Sequence, residues 1–175
     1  MSDTAPDQWK DAIYDALKRA NVRMVAYVPD AGHARVIERV HAEGDMRGVV
    51  LTTEEEGIAL CCGAWLGGER AVLLMQSSGA GNCINMLSLV ANCRFPFLAV
   101  VTMRGEWAEF NPWQEPMGRA TQQALELMGL KVMRAEHPED VEPMVSAGLD
   151  SAFKSDQAVA VLLAQRLIGR KEWTK

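Results

Sequence analysis

Three consecutive glutamates, Glu54 to Glu56, stand between an apolar run and a helix of small residues in LTTEEEGIALCCGAWLGG, residues 51–68. Adjacent carboxylates repel one another, so their crowding calls for a compensating cause. One cause is local: acidic side chains in a first helical turn meet the partial positive charge of its open N–H groups, a gain of about 0.3–1 kcal/mol each at the surface. The other is chemical. A carboxylate at the carboxyl end of a strand stands where open α/β sheets bind ligands, and there it can hold or move a proton. Downstream, MQSSGAGN at residues 75–82 makes a second corner, a strand running into a glycine turn and then a helix. Such a corner can offer backbone N–H groups to an anion. It lacks the Gly-Lys-Ser/Thr ending of a Walker loop and the three-glycine dinucleotide pattern, so alone Gly79-Ala80-Gly81 reads as a tight strand-to-helix turn. Gly57, Ala59, Cys61, Cys62, Gly63 and Ala64 leave little bulk on the first helix, which implies close approach to its backbone.

The elements that must position these corners follow from periodicity. DQWKDAIYDALKRAN, residues 7–21, reads as a helix capped by Asp7, with Trp9, Ile13, Ala16 and Leu17 on one face. RMVAYVP (23–29) is a strand stopped by Pro29, HARVIERVHAEGD (33–45) a helix, and RGVVLTT (47–53) a strand. The glutamate helix runs to Gly67 and Gly68, RAVLLMQ (70–76) is a strand, and SSGAGNCINMLSLVANCR (77–94) is a glycine turn leading into a helix. FPFLAVVTM (95–103), LKVMRA (130–135) and QAVAVLLAQ (157–165) complete six strands; GRATQQALELMG (118–129) and PEDVEPMVSAGLDSAFKS (138–155) are helices. Strands alternating with helices predict an α/β fold: a single doubly wound domain over residues 1–175 with a six-stranded, mostly parallel sheet and no internal repeat. Between Arg104 and Pro116 the periodicity fails. RGEWAEFNPWQEP is too apolar for a disordered linker, so it is expected to be an ordered loop, and loops of this length in compact domains are functional or interfacial.

Composition narrows the partners. With 175 residues, 49% of them hydrophobic, the chain can bury one core of its own. A net charge of −5 with scattered basic residues provides no field for nucleic acid or anionic lipid. No run approaches the ~20 apolar residues of a membrane helix, and MSDTAPDQWK has no signal-peptide pattern, so a cytoplasmic chain is expected. Cys61, Cys62, Cys83 and Cys93 lie in apolar segments and read as reduced core thiols.

Taken together, these residues resemble the pyrimidine-binding domain of thiamine diphosphate enzymes. Glu54 precedes Gly63 by nine positions, and SGAG at residues 78–81 falls where that family has its glycine-rich turn. VPD (28–30), TTEEEGIALCCGAWLGG (52–68), LLMQSSGAGNCIN (73–85) and MRGEWAEFNPWQEPMGRAT (103–121) are similar, within that superfamily, to sulfopyruvate decarboxylase α subunits, and more distantly to phosphonopyruvate decarboxylases. The match runs from Val25 to Gly129.

The resemblance implies decarboxylation of a small 2-oxo acid, 3-sulfopyruvate to sulfoacetaldehyde and CO2, with thiamine diphosphate. It assigns Glu54 to the pyrimidine ring nitrogen, where proton exchange drives the imino tautomer that acts as the base. Glu55 is the alternative if the helix starts one residue later, and Glu56 caps the helix or faces solvent. Gln76, Ser78, Gly79 and Asn82 line the glycine turn, where they contact cofactor or substrate or satisfy the turn's own backbone. Asp30 and His33 follow the first strand on the substrate side, although a histidine there can equally be a surface helix residue. Arg104, Asn111 and Gln114 are expected near the sulfonate, which a guanidinium can pair bidentately. Trp107, Phe110 and Trp113 fit subunit packing. The family's Gly-Asp-Gly metal and diphosphate motif is missing; EGDMRG at residues 43–48 comes nearest. No metal ligand is therefore assigned to this chain. The diphosphate and its Mg²⁺ fall to a β subunit in an α2β2 or larger assembly. A phosphonopyruvate or other 2-oxo acid decarboxylase subunit, or a non-catalytic flavodoxin-like module for nucleotide binding or regulation, is the alternative.

Overall fold

A computed structural model describes residues 8–170; Asp7, the expected first cap, lies outside the described residues. The chain runs α1 (Gln8–Arg19), β1 (Val22–Tyr27), α2 (Ala34–Glu43), β2 (Arg47–Val50), α3 (Glu54–Leu66), β3 (Arg70–Gln76), α4 (Ser77–Asn82) and α5 (Leu87–Cys93). It continues with β4 (Phe97–Thr102), a 3-10 turn (Pro112–Gln114), α6 (Glu115–Leu127), β5 (Lys131–Ala135), α7 (Pro138–Ser155), β6 (Ala158–Leu163) and the short α8 (Gln165–Ile168). The six strands lie in the order β2-β1-β3-β4-β6-β5, and every neighbouring pair is parallel. The sheet is thus wholly parallel where a mostly parallel one was expected.

Alternate strand residues feed two cores, as the pleat requires. Val25, Val72, Leu74, Leu98, Val100 and Val161 pack with α1, α2 and α7 on one face. Ala26, Leu73, Met75, Ala99, Val101 and Leu162 pack with α3, α5 and α6 on the other. Burial on both faces explains why β4 and β6 read as unbroken apolar runs with no alternation. From β1 the chain moves outward to β2 under α2, whereas from β3 it moves the opposite way to β4 through α4 and α5. The reversal falls between β1 and β3, and the carboxyl ends of strands at such a switch point are the usual ligand position in such sheets. Because all strands are parallel, the residues that follow β1, β2, β3, β4 and β6 share this edge.

Two boundaries differ from expectation for local reasons. The stretch 77–94, expected as a glycine turn leading into a helix, is instead two helices: the glycines lie in α4, and the turn falls later, at residues 83–86, before α5. Helix α6 starts at Glu115, three residues before Gly118, since Pro116 is tolerated in a first turn where its missing N–H has no partner to lose. The cysteines are free; Cys61, Cys62 and Cys83 are buried, but Cys93 is exposed at the end of α5 and is not a core thiol. Burial pushes the Cys62 and Cys83 thiols up to about 11 and about 12.

Candidate active site

Glu54 is the first residue of α3, preceded by Thr53 in an extended conformation. The Leu51 N–H donates to the Tyr27 carbonyl at 2.9 Å, which carries the chain past β1 and sets the helix start on the carboxyl edge of the sheet. Of the three glutamates only Glu54 is withdrawn from water, at 9% exposure. Its Oε2 accepts a hydrogen bond from Asn82 Nδ2 at 2.9 Å. Its Cδ and Oε1 lie against Gly79, so close that a Cβ on Gly79 would fall well inside 3.0 Å of both. Glu55 is exposed. Glu56 is exposed too, and its Oε2 accepts the Thr52 N–H at 2.9 Å, closing the helix start. The small residues of α3 serve different ends. A Cβ on Gly57 would overlap Leu51 and Leu73, so this glycine lets α3 settle on β3, whereas nothing among the described residues comes within 4 Å of a Cβ on Gly63.

The start of α4, beneath Glu54, is tied to the loop after β4. Gln76 Nε2 donates to Ser78 Oγ at 2.7 Å and to Gln114 Oε1 at 3.1 Å. Ser77 is fully buried; its Oγ accepts the Arg104 N–H at 3.0 Å and its carbonyl accepts Thr121 Oγ1 at 3.2 Å. Glu54, Gly79, Asn82, Ser78, Gln76 and Gln114 therefore form one connected group.

Asp30 and His33 occupy the neighbouring end of β1. Asp30 Oδ2 accepts the Gly32 N–H at 3.1 Å and the Thr102 hydroxyl at 2.6 Å, which aligns it over β4. His33 is wholly buried, so it is not a surface helix residue; it forms part of the floor. Its Nε2 lies 3.1 Å from the Val100 carbonyl, and Nδ1 has no partner among the described residues. Burial pushes its pKa down, leaving a neutral ring whose Nε2–H donates to that carbonyl.

Residues 104–114 form a strap over the ends of β4 and β6. Arg104 is buried, and its guanidinium donates to Glu109 through Nε at 2.7 Å and Nη2 at 2.5 Å. Glu109 also accepts the N–H groups of Gly105 at 3.2 Å and Asn111 at 3.1 Å and the side-chain amide of Gln165 at 2.9 Å. The Arg104 hydrogen bonds, joined by those backbone donors, hold the Glu109 carboxyl down to about 2. Arg104, expected to face the sulfonate, thus has two of its nitrogens engaged inside the chain. Asn111 Oδ1 accepts the Trp113 N–H at 3.2 Å and starts the 3-10 turn that ends at Gln114. Trp107, Phe110 and Trp113 lie on the outside, Trp113 at 83% exposure. Glu109 and Gln165 were assigned no role from the sequence. Glu109 lies five residues from Arg104 in a segment without a repeat, and Gln165 reads only as the last residue of a strand.

Among the described residues no group of three or more His, Cys, Asp or Glu side chains could hold a metal ion. No helix there is long and apolar enough to cross a membrane.

No family model matches the chain. The sulfopyruvate decarboxylase subunit alpha of Methanococcus maripaludis is 34% identical over 154 residues, 87% of this chain and 92% of that one. The same subunit of Methanocaldococcus jannaschii is 32% identical over 152 residues, 86% of this chain and 90% of that one. A phosphonopyruvate decarboxylase of Streptomyces viridochromogenes is 37% identical over 112 residues, 63% of this chain but 28% of the longer one. Among solved structures, benzoylformate decarboxylase from Polynucleobacter necessarius aligns with a TM-score of 0.71 at 16% identity, over 95% of this chain and 31% of that one. A 2-oxoglutarate:ferredoxin oxidoreductase from Magnetococcus marinus gives 0.70 at 17% identity, over 94% and 31%. The structural likeness shows a shared fold, and this chain corresponds to under a third of each of those two chains.

Proposed function

The chain belongs to the family of sulfopyruvate decarboxylase alpha subunits, and on that premise we propose that it is the pyrimidine-binding half of a thiamine diphosphate-dependent decarboxylase. Its substrate is 3-sulfopyruvate, and the products are sulfoacetaldehyde and CO2. The observation that carries the reading is Glu54: of three adjacent glutamates, one alone is drawn in at the carboxyl edge of the sheet, held by Asn82 and seated on the bare backbone of Gly79. A cradle that only a glycine leaves open fits a carboxylate kept in place for a ligand.

The residues suit one end of the cofactor and not the other. Glu54 offers a carboxylate to a ring nitrogen, while the described residues contain no cluster suited to Mg²⁺ and a diphosphate. Those belong to a partner β subunit in a cytoplasmic α2β2 or larger assembly. The name of the relatives as alpha subunits supports this, as does the match to only 28% of the longer phosphonopyruvate decarboxylase. Bound thiamine diphosphate supplies the electron sink for the pair left when CO2 departs. The chain's own residues orient and exchange protons: Glu54 holds and passes a proton at its carboxyl, Asn82 fixes one of its oxygens, and Gly79 keeps the space beside the other clear. Gln76, with Ser78, links this corner to Gln114, which with Asn111 faces the substrate's acid group. Asp30, aligned by Thr102, faces the oxo acid from β1 above the His33 floor. Arg104 contributes by holding the strap through Glu109.

Phosphonopyruvate is the second reading, favoured by the 37% identity to an enzyme named for it, since both substrates carry a tetrahedral anion beside a 2-oxo acid. Side-by-side turnover of the two acids by the chain with its partner subunit decides between them. In that complex Glu54→Gln is expected to lose activity by about 10²–10⁴-fold, the usual range for a positioned proton-transfer group. Glu55→Gln is expected to remain near wild type. Wild-type turnover in Glu54→Gln would falsify the proton-exchange role, and loss in Glu55→Gln alone would move it by one residue. Ligand retention by the chain without any partner would favour a non-catalytic binding module instead.

A further inference from the structure

Gln165 follows β6 and is 2% exposed, and both polar atoms of its side-chain amide are spent on the strap. Oε1 accepts the N–H groups of Glu106 at 2.8 Å and Trp107 at 2.9 Å; Nε2 donates to Glu109 Oε2 at 2.9 Å. Its backbone N–H donates to Glu106 Oε2 at 3.2 Å, and Glu106 in turn pairs with Arg134 on β5 at 2.7 Å. A single side chain from 56 to 59 residues away therefore grips the strap's first turn at the backbone and at its central carboxylate. The grip continues along the chain. Glu109 receives the Asn111 N–H, Asn111 caps the 3-10 turn, and the turn ends at Gln114, whose Oε1 meets Gln76 beside the Glu54 corner.

We propose that Gln165 is a positioning residue for the decarboxylation, acting through Glu109 and the Glu106–Trp107 backbone to fix Asn111 and Gln114 where the substrate's acid group binds. This rests on the functional reading above. A primary amide offers a donor and an acceptor at opposite corners of one rigid plane, so Gln165 can satisfy two backbone N–H groups and a carboxylate at once. Leucine would fill the space and serve neither. Glutamate would keep the acceptor for Glu106 and Trp107 but set a second carboxylate against Glu109. The two variants thus separate the backbone grip from the carboxylate grip.

The test is made on the full chain with its partner subunit, by hydrogen exchange over residues 105–111 and by steady-state kinetics on 3-sulfopyruvate. Gln165→Leu is expected to speed exchange at the Glu106 and Trp107 amides about tenfold and to raise KM about tenfold with kcat nearly unchanged, the loss expected for about one hydrogen bond. Gln165→Glu is expected to keep the protection of those two amides and still raise KM, because the Glu109 end is repelled. It keeps the test available if the leucine variant folds poorly. Unchanged exchange in Gln165→Leu overturns the proposal, and so does faster exchange with a wild-type KM, which would mean that the grip is structural only. Failure of the functional reading looks different: the wild-type complex would turn over neither oxo acid, while the exchange comparison could still be read.

Discussion

The corner around Glu54 and the strap around Glu109 each draw a carboxylate out of water, and they do so by opposite means. Glu109 accepts five hydrogen bonds, two of them from a buried guanidinium. A carboxylate so saturated is locked as an anion and has no capacity left for a ligand. Among the described residues Glu54 accepts one hydrogen bond, from Asn82, and its other oxygen rests on a glycine. The first arrangement holds a loop. The second holds a carboxylate in place with acceptor capacity to spare, as the proposed proton-exchange role requires, so burial alone does not separate the two; the tally of donors does.

The largest effect is expected where the Glu54 corner is crowded. The three atoms nearest a Cβ on Gly79 all belong to the flexible Glu54 side chain, so Gly79→Ala can be accommodated by swinging the carboxyl away. Stability should change little, whereas activity with the partner subunit should fall about 10²-fold or more, as when a positioned proton-transfer group is lost. An active Gly79→Ala enzyme would mean that the location of the carboxyl does not matter. The matching insult to the strap is Gly118→Ala. There the added Cβ meets the Arg104 carbonyl and the Gly105 backbone, which cannot swing aside. Overpacking of this kind should cost about 2 kcal/mol and lower Tm by about 4–8 °C in a chain of this size. If Gly79→Ala proved the less stable of the two variants and Gly118→Ala the less active, the contrast between the regions would be reversed.

The same contrast explains what could be read from the sequence. The six strands, their order of appearance and the glutamate corner were legible because each depends on neighbours a few residues away: the apolar runs of β3 and β4, the strand end at Val50, the glycines at 79 and 81. The helical state of residues 77–82 was missed, since SSGAGN carries two glycines and no apolar period to mark a helix. His33 could be placed after β1 but not buried, because its surroundings come from the ends of β3 and β4. Gln165 carried no signal at all. Its partners lie on a segment more than fifty residues earlier, and only the adjacency of β4 and β6 brings them together.

The sharpest effect on the strap side is a change in the pH dependence of stability. Glu109 is held down to about 2 in the folded chain, against an ordinary value of 4.5, by Arg104 and the backbone donors. A carboxyl whose folded pKa is depressed contributes stability that is complete above the unfolded value and lost as pH falls through the folded one. Between about pH 4.5 and about pH 2 this group should therefore add a slope of at most about 1.4 kcal/mol per pH unit, the linkage of one proton. Glu109→Gln has no such proton to take up. At neutral pH the variant should be the less stable protein, since Arg104 keeps its charge in a buried place without a counter-charge at Glu109. The gap to wild type, followed by urea midpoints across this range, should close as the solution is acidified and the wild-type carboxylate is itself neutralised. A gap that stays constant down to about pH 2 would show that Glu109 is not the anion that holds the strap, and the contrast with Glu54 would lose its physical basis.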